Sequence, residues 1–266
     1  MIHQTSKDFE YIIIDGASAD ESVDIIKEYS DKIDHWISEP DKGIYNAMNK
    51  GIKIAKGIYC QFLNSGDYLI SSNTTREFLD LLPEDCDIFY GNLIKKLKKG
   101  YYRSRGFAGK KITLVDLFTS TISHASCYIK KELFKTYGLY DESLKVVSDW
   151  KFFFHTVGLG DIVPYYAYYD VAVFDSSGIS SQNHTLGMEE RTRVLRDLLP
   201  EKIYEDYAEH AKTLRQLQQI TKYRGLKVLY HLLERIAFQL EKRHLKKYYF
   251  RTLNNTSEDN LLTEKK

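Results

Sequence analysis

Short apolar runs alternate with amphipathic segments through the first 91 residues of the chain. Four runs rich in β-branched and aromatic residues have the length of buried strands, and they are residues 11–14, 35–38, 58–63 and 87–91. The segments between them place apolar residues at helical spacing, in residues 18–29, 44–55 and 74–82. This alternation predicts βαβ units and an α/β fold whose central sheet is mostly parallel.

The pattern becomes mixed after Gly91. It predicts a strand at 126–129, short helices at 131–136 and 149–157, and two strands around a turn within 162–174. Helical periodicity dominates from Thr185 onward, and the last residues are polar. We therefore expect a main domain at 1–182, a helical C-terminal region at 183–251 and a disordered tail at 252–266.

Acidic and amide side chains follow three of the four predicted strands. Asp15 ends the first, Glu39 and Asp41 follow the second, and Asn64 and Asp67 follow the third. Ligands of parallel α/β sheets bind beyond the carboxyl ends of the strands. The sequence thus predicts that these side chains converge on one polar site.

Composition narrows the class of protein. The formal net charge is only +1 over 266 residues, so the chain as a whole has no positive electrostatic field that would attract nucleic acid. Cys60, Cys86 and Cys127 lie far apart in apolar surroundings, so we expect buried, reduced thiols and a cytoplasmic protein. No apolar stretch approaches the length of about 20 residues that a membrane span needs, and the first ten residues do not resemble a signal peptide.

Five segments resemble motifs of one enzyme family. Residues 9–20 resemble the IDGGSTD segment of the family 2 glycosyltransferases, which have the GT-A fold. Residues 38–51 are similar to the SEPDKGIYDAMNKGI segment of the bacterial polysaccharide-assembly branch, and residues 62–67 to its FLNSDD segment. His124-Ala125-Ser126 and Ser148-Asp149-Trp150 resemble its HQA and SDY/EDW positions. The resemblance covers about residues 4–180, and it implies inverting transfer of a sugar from an NDP-sugar to a polysaccharide or lipid-linked oligosaccharide.

The resemblance also implies a Mg²⁺ or Mn²⁺ site. A divalent cation neutralises a diphosphate leaving group, and hard cations prefer carboxylate oxygens, so Asp67 is the expected metal ligand. Asn64 would hold the ribose or the water shell of the metal. Asn-Ser-Gly-Asp is also an ordinary turn sequence, which remains an alternative.

The remaining expected site residues come from the same comparison of motifs. Asp15, Glu39 and Asp41 would face the nucleotide-sugar. Asp15 also suits a turn or a helix cap, and Glu39 and Asp41 also suit a turn. Asp149 would be the general base that inversion requires, or the N-cap of the helix that follows it. His124 would contact the diphosphate or the acceptor, or would be structural.

Two departures from the family pattern change the expectations. Gly66 stands where the motif usually has a first aspartate, so we expect weak metal affinity that Asp at position 66 would strengthen. The family's opening strand and helix, on the order of thirty residues, are expected to be missing before Gln4. The edge of the strand at 11–14 then needs a neighbour, and without one the chain would be poorly soluble or would self-associate. A catalytically inactive relative with residual nucleotide or partner binding is therefore the alternative function.

Two basic segments suggest further partners. Residues 95–111 contain eight Lys or Arg and no acid, which suits an anionic acceptor or a solvated hairpin. Residues 223–249 combine an apolar helical face with basic residues. Such a helix lies on an anionic membrane surface or packs on its own protein. The first alternative predicts peripheral contact with the inner face of the membrane.

Overall fold

The computed structural model describes residues 1–175, 183–221, 225–226, 228–233, 235–240 and 242. Its eight strands are β1 (Ile12–Asp15), β2 (His35–Ser38), β3 (Tyr59–Cys60), β4 (Tyr68–Leu69), β5 (Ile88–Lys96), β6 (Tyr101–Ser104), β7 (Cys127–Lys130) and β8 (Tyr165–Asp175). The helices are α1 (Ser22–Glu28), α2 (Ile44–Ile54), α3 (Thr74–Leu79), α4 (Leu114–Thr119), α5 (Glu132–Thr136), α6 (Ser148–Phe153), α7 (His184–Leu198) and α8 (Glu201–Thr221). A π-helical segment, Phe154–Leu159, continues α6.

The strands form a mixed sheet, which corrects the expectation of a mostly parallel one. The larger sheet has the order β3-β7-β5-β8-β4, and β6 joins the same edge of β5 as β7. Within it only β5 and β8 run parallel, and the other pairs are antiparallel. The parallel prediction failed after Gly91, because there β6 returns in a hairpin and β7 enters from the opposite direction.

β5 and β8 are the central pair, and they approach closely at Gly91. A Cβ on Gly91 would lie 2.6 Å from both the Tyr169 carbonyl oxygen and a Val171 methyl group, so only glycine fits. The register of the pair shifts on both sides of Asn92. Because the strands are parallel, their carboxyl ends at Lys96 and Asp175 lie side by side. β8 is one strand of 11 residues, where the sequence indicated two strands around a turn.

β1 and β2 form a separate two-stranded parallel sheet. Among the described residues, β1 pairs only with β2, so its second edge faces no other strand. The expectation that a neighbour is needed beside β1 stays a prediction.

Buried aromatic side chains pack α6 against α4 and α5. Trp150 is 1% exposed, and its indole Nε1 donates to the Leu117 carbonyl at the end of α4 at 2.7 Å. Phe153 and Phe154 are fully buried, and the Phe154 ring lies 5.3 Å from that of Trp150. These contacts set the rotation of α6, and Asp149 on this helix contacts Tyr45 and His124.

α7 is tied to the loop that leads into α6. The carboxylate of Glu190, which is 5% exposed, accepts from the backbone N–H of Lys145 at 2.6 Å and of Val146 at 2.9 Å. The chain divides into two compact units, residues 1–205 and 206–266, so the division falls within α8 rather than before α7. The expected tail at 252–266 lies outside the described residues.

The three cysteines are buried and unpaired, as the sequence predicts. No helix in the part of the chain that the structure describes is long and apolar enough to span a bilayer.

Candidate active site

Asp15 joins the carboxyl ends of β1 and β2. Its Oδ1 accepts from the Ser18 hydroxyl at 2.5 Å, and its Oδ2 accepts from the Ser38 hydroxyl at 2.6 Å and the Ser18 N–H at 3.1 Å. The hydrogen bonds from Ser18 and Ser38 lower the pKa of Asp15. The side chain therefore stabilises a turn rather than capping α1, which begins at Ser22 without a side-chain cap.

Asp41 packs against this turn, whereas Glu39 points to α2. A Cβ on Gly16 would lie 2.5 Å from Asp41 Oδ2, so the glycine lets the carboxylate approach the backbone of the Asp15 turn. Asp41 Oδ1 accepts from the N–H of Gly43 at 2.8 Å, just before α2. Glu39 forms a 2.7 Å ion pair with Lys50 and is half exposed.

Asp149 anchors a second polar cluster. Its Oδ1 accepts from the Tyr45 hydroxyl at 2.9 Å, and its Oδ2 lies 2.8 Å from Nδ1 of His124. The other ring nitrogen of His124 lies 3.2 Å from Nδ2 of Asn64. The N-cap of α6 is Val147, and Asp149 is the second residue of the helix. The structure therefore excludes the N-cap alternative for Asp149.

Burial and hydrogen bonding shift the pKa values of Asp149 and His124 in opposite directions. Burial alone would raise the pKa of Asp149, but the hydrogen bond and charge of His124 and the hydrogen bond from Tyr45 hold it below its ordinary value. Burial alone would lower the pKa of His124, but Asp149 raises it. Each partner stabilises the charged form of the other, so a carboxylate persists at an almost fully enclosed position.

Asp67 lies in the turn formed by residues 64–67. Its Oδ1 accepts from the N–H of Asp175 at 3.0 Å, which ties the turn to the end of β8. The Asp67 N–H donates to the Asn64 carbonyl at 2.9 Å, so the turn alternative is also realised. Burial raises the pKa of Asp67. The ionised carboxylate is thus poorly solvated, and a bound cation would stabilise it.

Asp175 occupies the space beside Gly66. Gly66 has a φ of +90°, and a Cβ there would lie 3.2 Å from the Cβ of Asp175 and 3.8 Å from its Oδ2. An aspartate at position 66 would be strained by the positive φ and crowded by Asp175. The structure therefore argues against the expectation that Asp at position 66 strengthens a metal site.

Asp67 and Asp175 offer carboxylate oxygens of the kind that bind a divalent cation. The charge of Asp175 acts on Asp67, and Lys96 Nζ lies 3.8 Å from Asp175 Oδ2. Within the described part of the chain, no three His, Cys, Asp or Glu side chains group into a complete metal site. Mg²⁺ is usually held in proteins by one or two carboxylates together with substrate phosphates and water. The oxygen donors and the raised pKa of Asp67 match that mode of binding.

The expected residues fall into two groups that meet at the start of α2. Asp15 and Asp41 form the first group, and Asn64, Asp67, His124 and Asp149 form the second. Gly43, the N-cap of α2, binds Asp41, and Tyr45 in its first turn binds Asp149. Glu39 joins neither group.

Sequence reasoning missed Tyr45 and Asp175. Tyr45 lies within the segment 38–51 that carried the resemblance, but its spacing marked it only as part of the apolar face of α2. Asp175 is an acid at a strand end, the signal used for Asp15. It directly follows the strands expected within 162–174, so the same signal identifies it in the sequence.

The sequence model described as "Glycosyl transferase family 2" matches residues 1–138, just over half of the chain. The chain belongs to this family. The turn ending β1, the start of α2 and the Asp67 turn all lie within the matched residues.

Relatives of this glycosyltransferase carry names of the same class. A "PGL/p-HBAD biosynthesis glycosyltransferase" of Mycobacterium bovis is 29% identical over 182 residues, which cover 66% of this chain and 68% of the relative. An uncharacterized glycosyltransferase of Rickettsia typhi is 29% identical over 192 residues, covering 68% of this chain and 58% of the relative. The family and these relatives identify a transferase and do not favour the inactive alternative.

Solved structures confirm the GT-A fold. The S. aureus TarS 1–349 structure in complex with UDP superposes with a TM-score of 0.56 at 18% identity, covering 77% of this chain and 62% of that one. The complex of the same TarS fragment with UDP-GlcNAc gives a TM-score of 0.58 at 18% identity and covers 73% and 58%. This glycosyltransferase therefore has the fold that the motifs implied, and it spans under two thirds of those solved chains.

Proposed function

We propose that this glycosyltransferase transfers a sugar from a nucleoside-diphosphate donor to a hydroxyl of a polysaccharide or lipid-linked oligosaccharide, with inversion at the anomeric carbon. The enclosed Asp149 carboxylate beside the Asp67 turn carries the proposal, because it places a candidate base next to a candidate diphosphate site. The UDP and UDP-GlcNAc complexes of TarS support a nucleotide-sugar as the donor.

The acceptor side of the reaction needs a proton acceptor. The acceptor oxygen attacks the anomeric carbon, its bond to that carbon forms as the bond to the diphosphate oxygen breaks, and its proton moves to a carboxylate oxygen of Asp149. Asp149 is ionised in the folded chain because His124 and Tyr45 lower its pKa. The nucleoside diphosphate then leaves with the bonding pair.

The donor side is assigned to the two strand-end turns. Asp67, supported by Asp175, would hold Mg²⁺ or Mn²⁺, which supplies charge neutralisation for the diphosphate when bound. Asn64 and His124 lie between this turn and Asp149, where they would contact the donor. Asp15 and Asp41 line the turn where the nucleoside would lie, and Asp15 would act through the shape of the turn because Ser18 and Ser38 bind both its oxygens. Glu39 would act only if it left Lys50.

We also propose that the second compact unit, residues 206–266, contacts a membrane. The large apolar side chains Leu226, Leu229, Leu232, Leu233, Ile236 and Leu240 are all exposed, and they repeat at helical spacing. Residues 223–249 contain seven Lys or Arg against two Glu. An apolar face with surrounding positive charge matches an anionic bilayer surface, and a lipid-linked acceptor would be found there.

Titration calorimetry with UDP tests the donor site. We expect wild-type chain to bind UDP more tightly with Mn²⁺ or Mg²⁺ than with EDTA, and Asp67→Ala to lose this difference. Asp24→Ala is the matched control, because Asp24 is an exposed acid on α1 that forms an ion pair with Lys27. Metal-dependent binding that survives in Asp67→Ala would overturn the metal assignment.

A second experiment tests inversion. With a nucleotide-sugar donor that the chain turns over, NMR of the product gives the configuration at its anomeric carbon, which should be opposite to that of the donor.

A further inference from the structure

Tyr45 is a buried residue whose hydroxyl reaches the candidate base. It lies in the first turn of α2 and is 4% exposed, and its hydroxyl donates to Asp149 Oδ1 at 2.9 Å across 104 residues of sequence. Its ring packs on Tyr140 with centroids 5.7 Å apart. The hydroxyl is therefore held in place by the core, independently of any substrate.

The two anchors of Asp149 together define the plane of its carboxylate. His124 holds Oδ2 and Tyr45 holds Oδ1, so the carboxylate cannot rotate about its Cβ–Cγ bond without breaking one of them. Each carboxylate oxygen has two acceptor sites, so a second site on each stays available to an acceptor hydroxyl. With one anchor only, the plane of the carboxylate would be free to turn.

We propose that Tyr45 is a positioning residue of this glycosyltransferase, whose hydroxyl fixes the Asp149 carboxylate in the orientation that receives the acceptor proton. The inference rests on the proposed function, since it assigns Asp149 as the base. Tyr45 itself need not touch the substrate. It acts through Asp149, together with His124.

The surroundings make Tyr45 a permanent donor. Burial and the charge of Asp149 raise the pKa of Tyr45 well above its ordinary value, so the hydroxyl keeps its proton at every working pH. The groups that face Asp149 are His124 from the segment before β7, Tyr45 from α2 and the Tyr140 side chain from the loop before α6. Of these, Tyr45 and His124 hydrogen-bond to Asp149 and hold its charged form.

Tyr140 offers a matched control for the deletion of one hydroxyl. It is 3% exposed and belongs to the same aromatic cluster, yet among the described residues its hydroxyl has no hydrogen-bond partner. Tyr45→Phe and Tyr140→Phe each remove one buried oxygen beside Asp149. Only Tyr45→Phe removes a hydrogen bond to it.

The experiment compares wild type, Tyr45→Phe and Tyr140→Phe in the full chain. We expect Tyr45→Phe to lower kcat about tenfold with little change in donor KM, because a misoriented base affects the chemical step. Loss of a hydrogen bond to the charged form raises the pKa of Asp149, so the acid limb of the kcat profile moves to higher pH by about one unit. Tyr140→Phe should keep the wild-type kcat and profile.

A second readout does not depend on turnover. The side-chain carboxyl of Asp149 is titrated by ¹³C NMR and assigned with Asp149→Asn, and we expect its midpoint to rise in Tyr45→Phe but not in Tyr140→Phe. If Tyr45→Phe lowers the melting temperature while the titration and the kcat profile stay unchanged, Tyr45 is structural and the proposal is wrong. If wild type shows no transfer yet the midpoint shifts, the positioning contact stands and the proposed function fails.

Discussion

Both oxygens of the Asp149 carboxylate take part in hydrogen bonds, and these bonds determine what a substitution of Asp149 can test. Tyr45 and His124 each use one acceptor site of a different oxygen. A neutral isostere keeps the volume of the side chain and one carbonyl oxygen but cannot take a proton. The substitution therefore separates proton acceptance from packing.

Asp149→Asn should strongly reduce transfer while donor binding remains. General base catalysis contributes roughly 10²- to 10⁴-fold, so kcat should fall by about that factor. Initial rates and UDP titration calorimetry measure the two effects. Asp161→Asn, at an exposed position beyond the π-helical segment, is the control. A parallel collapse of donor affinity and melting temperature would make Asp149 a structural residue.

The elements that position the site were predicted unevenly. The pattern at 44–55 predicted α2 almost to the residue, because Gly43 and Gly57 bracket a clear apolar stripe. The strand expected at 58–63 shortens to Tyr59–Cys60, and Gln61 instead donates from its side chain to the Ala125 carbonyl. β4 and α4 were not expected, since Tyr68–Leu69 is only two residues long and Leu114–Thr119 depends on a capping box at Thr113.

The residues of the candidate site were also predicted unevenly from the sequence. Asp15, Asp67 and Asp149 stand in motifs, so their positions were predicted from sequence. The contact of Tyr45 with Asp149 and that of Asp175 with Asp67 join residues 104 and 108 positions apart. Local pattern carries no information on such pairs, and only the packing of α2, α6 and β8 brings them together.

The loop before α6 gives a pH-dependent prediction for this element. Burial alone would raise the pKa of Asp141, but hydrogen bonds from Lys151 and Ser143 lower it to about 2. Because the folded pKa lies below the ordinary value of 3.8, Asp141 stabilises the fold above that value and loses its contribution as the pH falls toward 2. Asp141→Asn should reduce the free energy of unfolding by about 2 kcal/mol at neutral pH.

Urea unfolding at pH 7 and near pH 2 measures this difference. The difference between the variant and wild type should shrink at the lower pH, where Asp141 is protonated in the unfolded chain and about half protonated in the folded chain. Asp31→Asn, at an exposed position before β2, should change neither value. An equal loss at both pH values would show that shape, rather than the charge facing Lys151, stabilises the loop.

Charge is distributed unevenly over the whole molecule. The chain as a whole is nearly neutral at +1, whereas residues 223–249 hold seven Lys or Arg and two Glu. The described residues of this segment also expose their large apolar side chains. An exposed apolar face is costly for a surface that meets only water, and an apolar face combined with basic residues is typical of helices that bind anionic bilayers.

Vesicle sedimentation tests this membrane contact on the full chain. We expect binding to vesicles of equal parts phosphatidylglycerol and phosphatidylcholine, and little binding to phosphatidylcholine alone, because each Lys or Arg near an anionic surface contributes roughly 1 kcal/mol. High salt should weaken the binding through screening. Leu229→Glu and Leu233→Glu should each reduce it, since they place a charge in the apolar face. Ile25→Glu, an exposed apolar position on α1, should not. Equal binding by all variants, or none to anionic vesicles, would contradict the proposed contact, whatever the outcome for UDP.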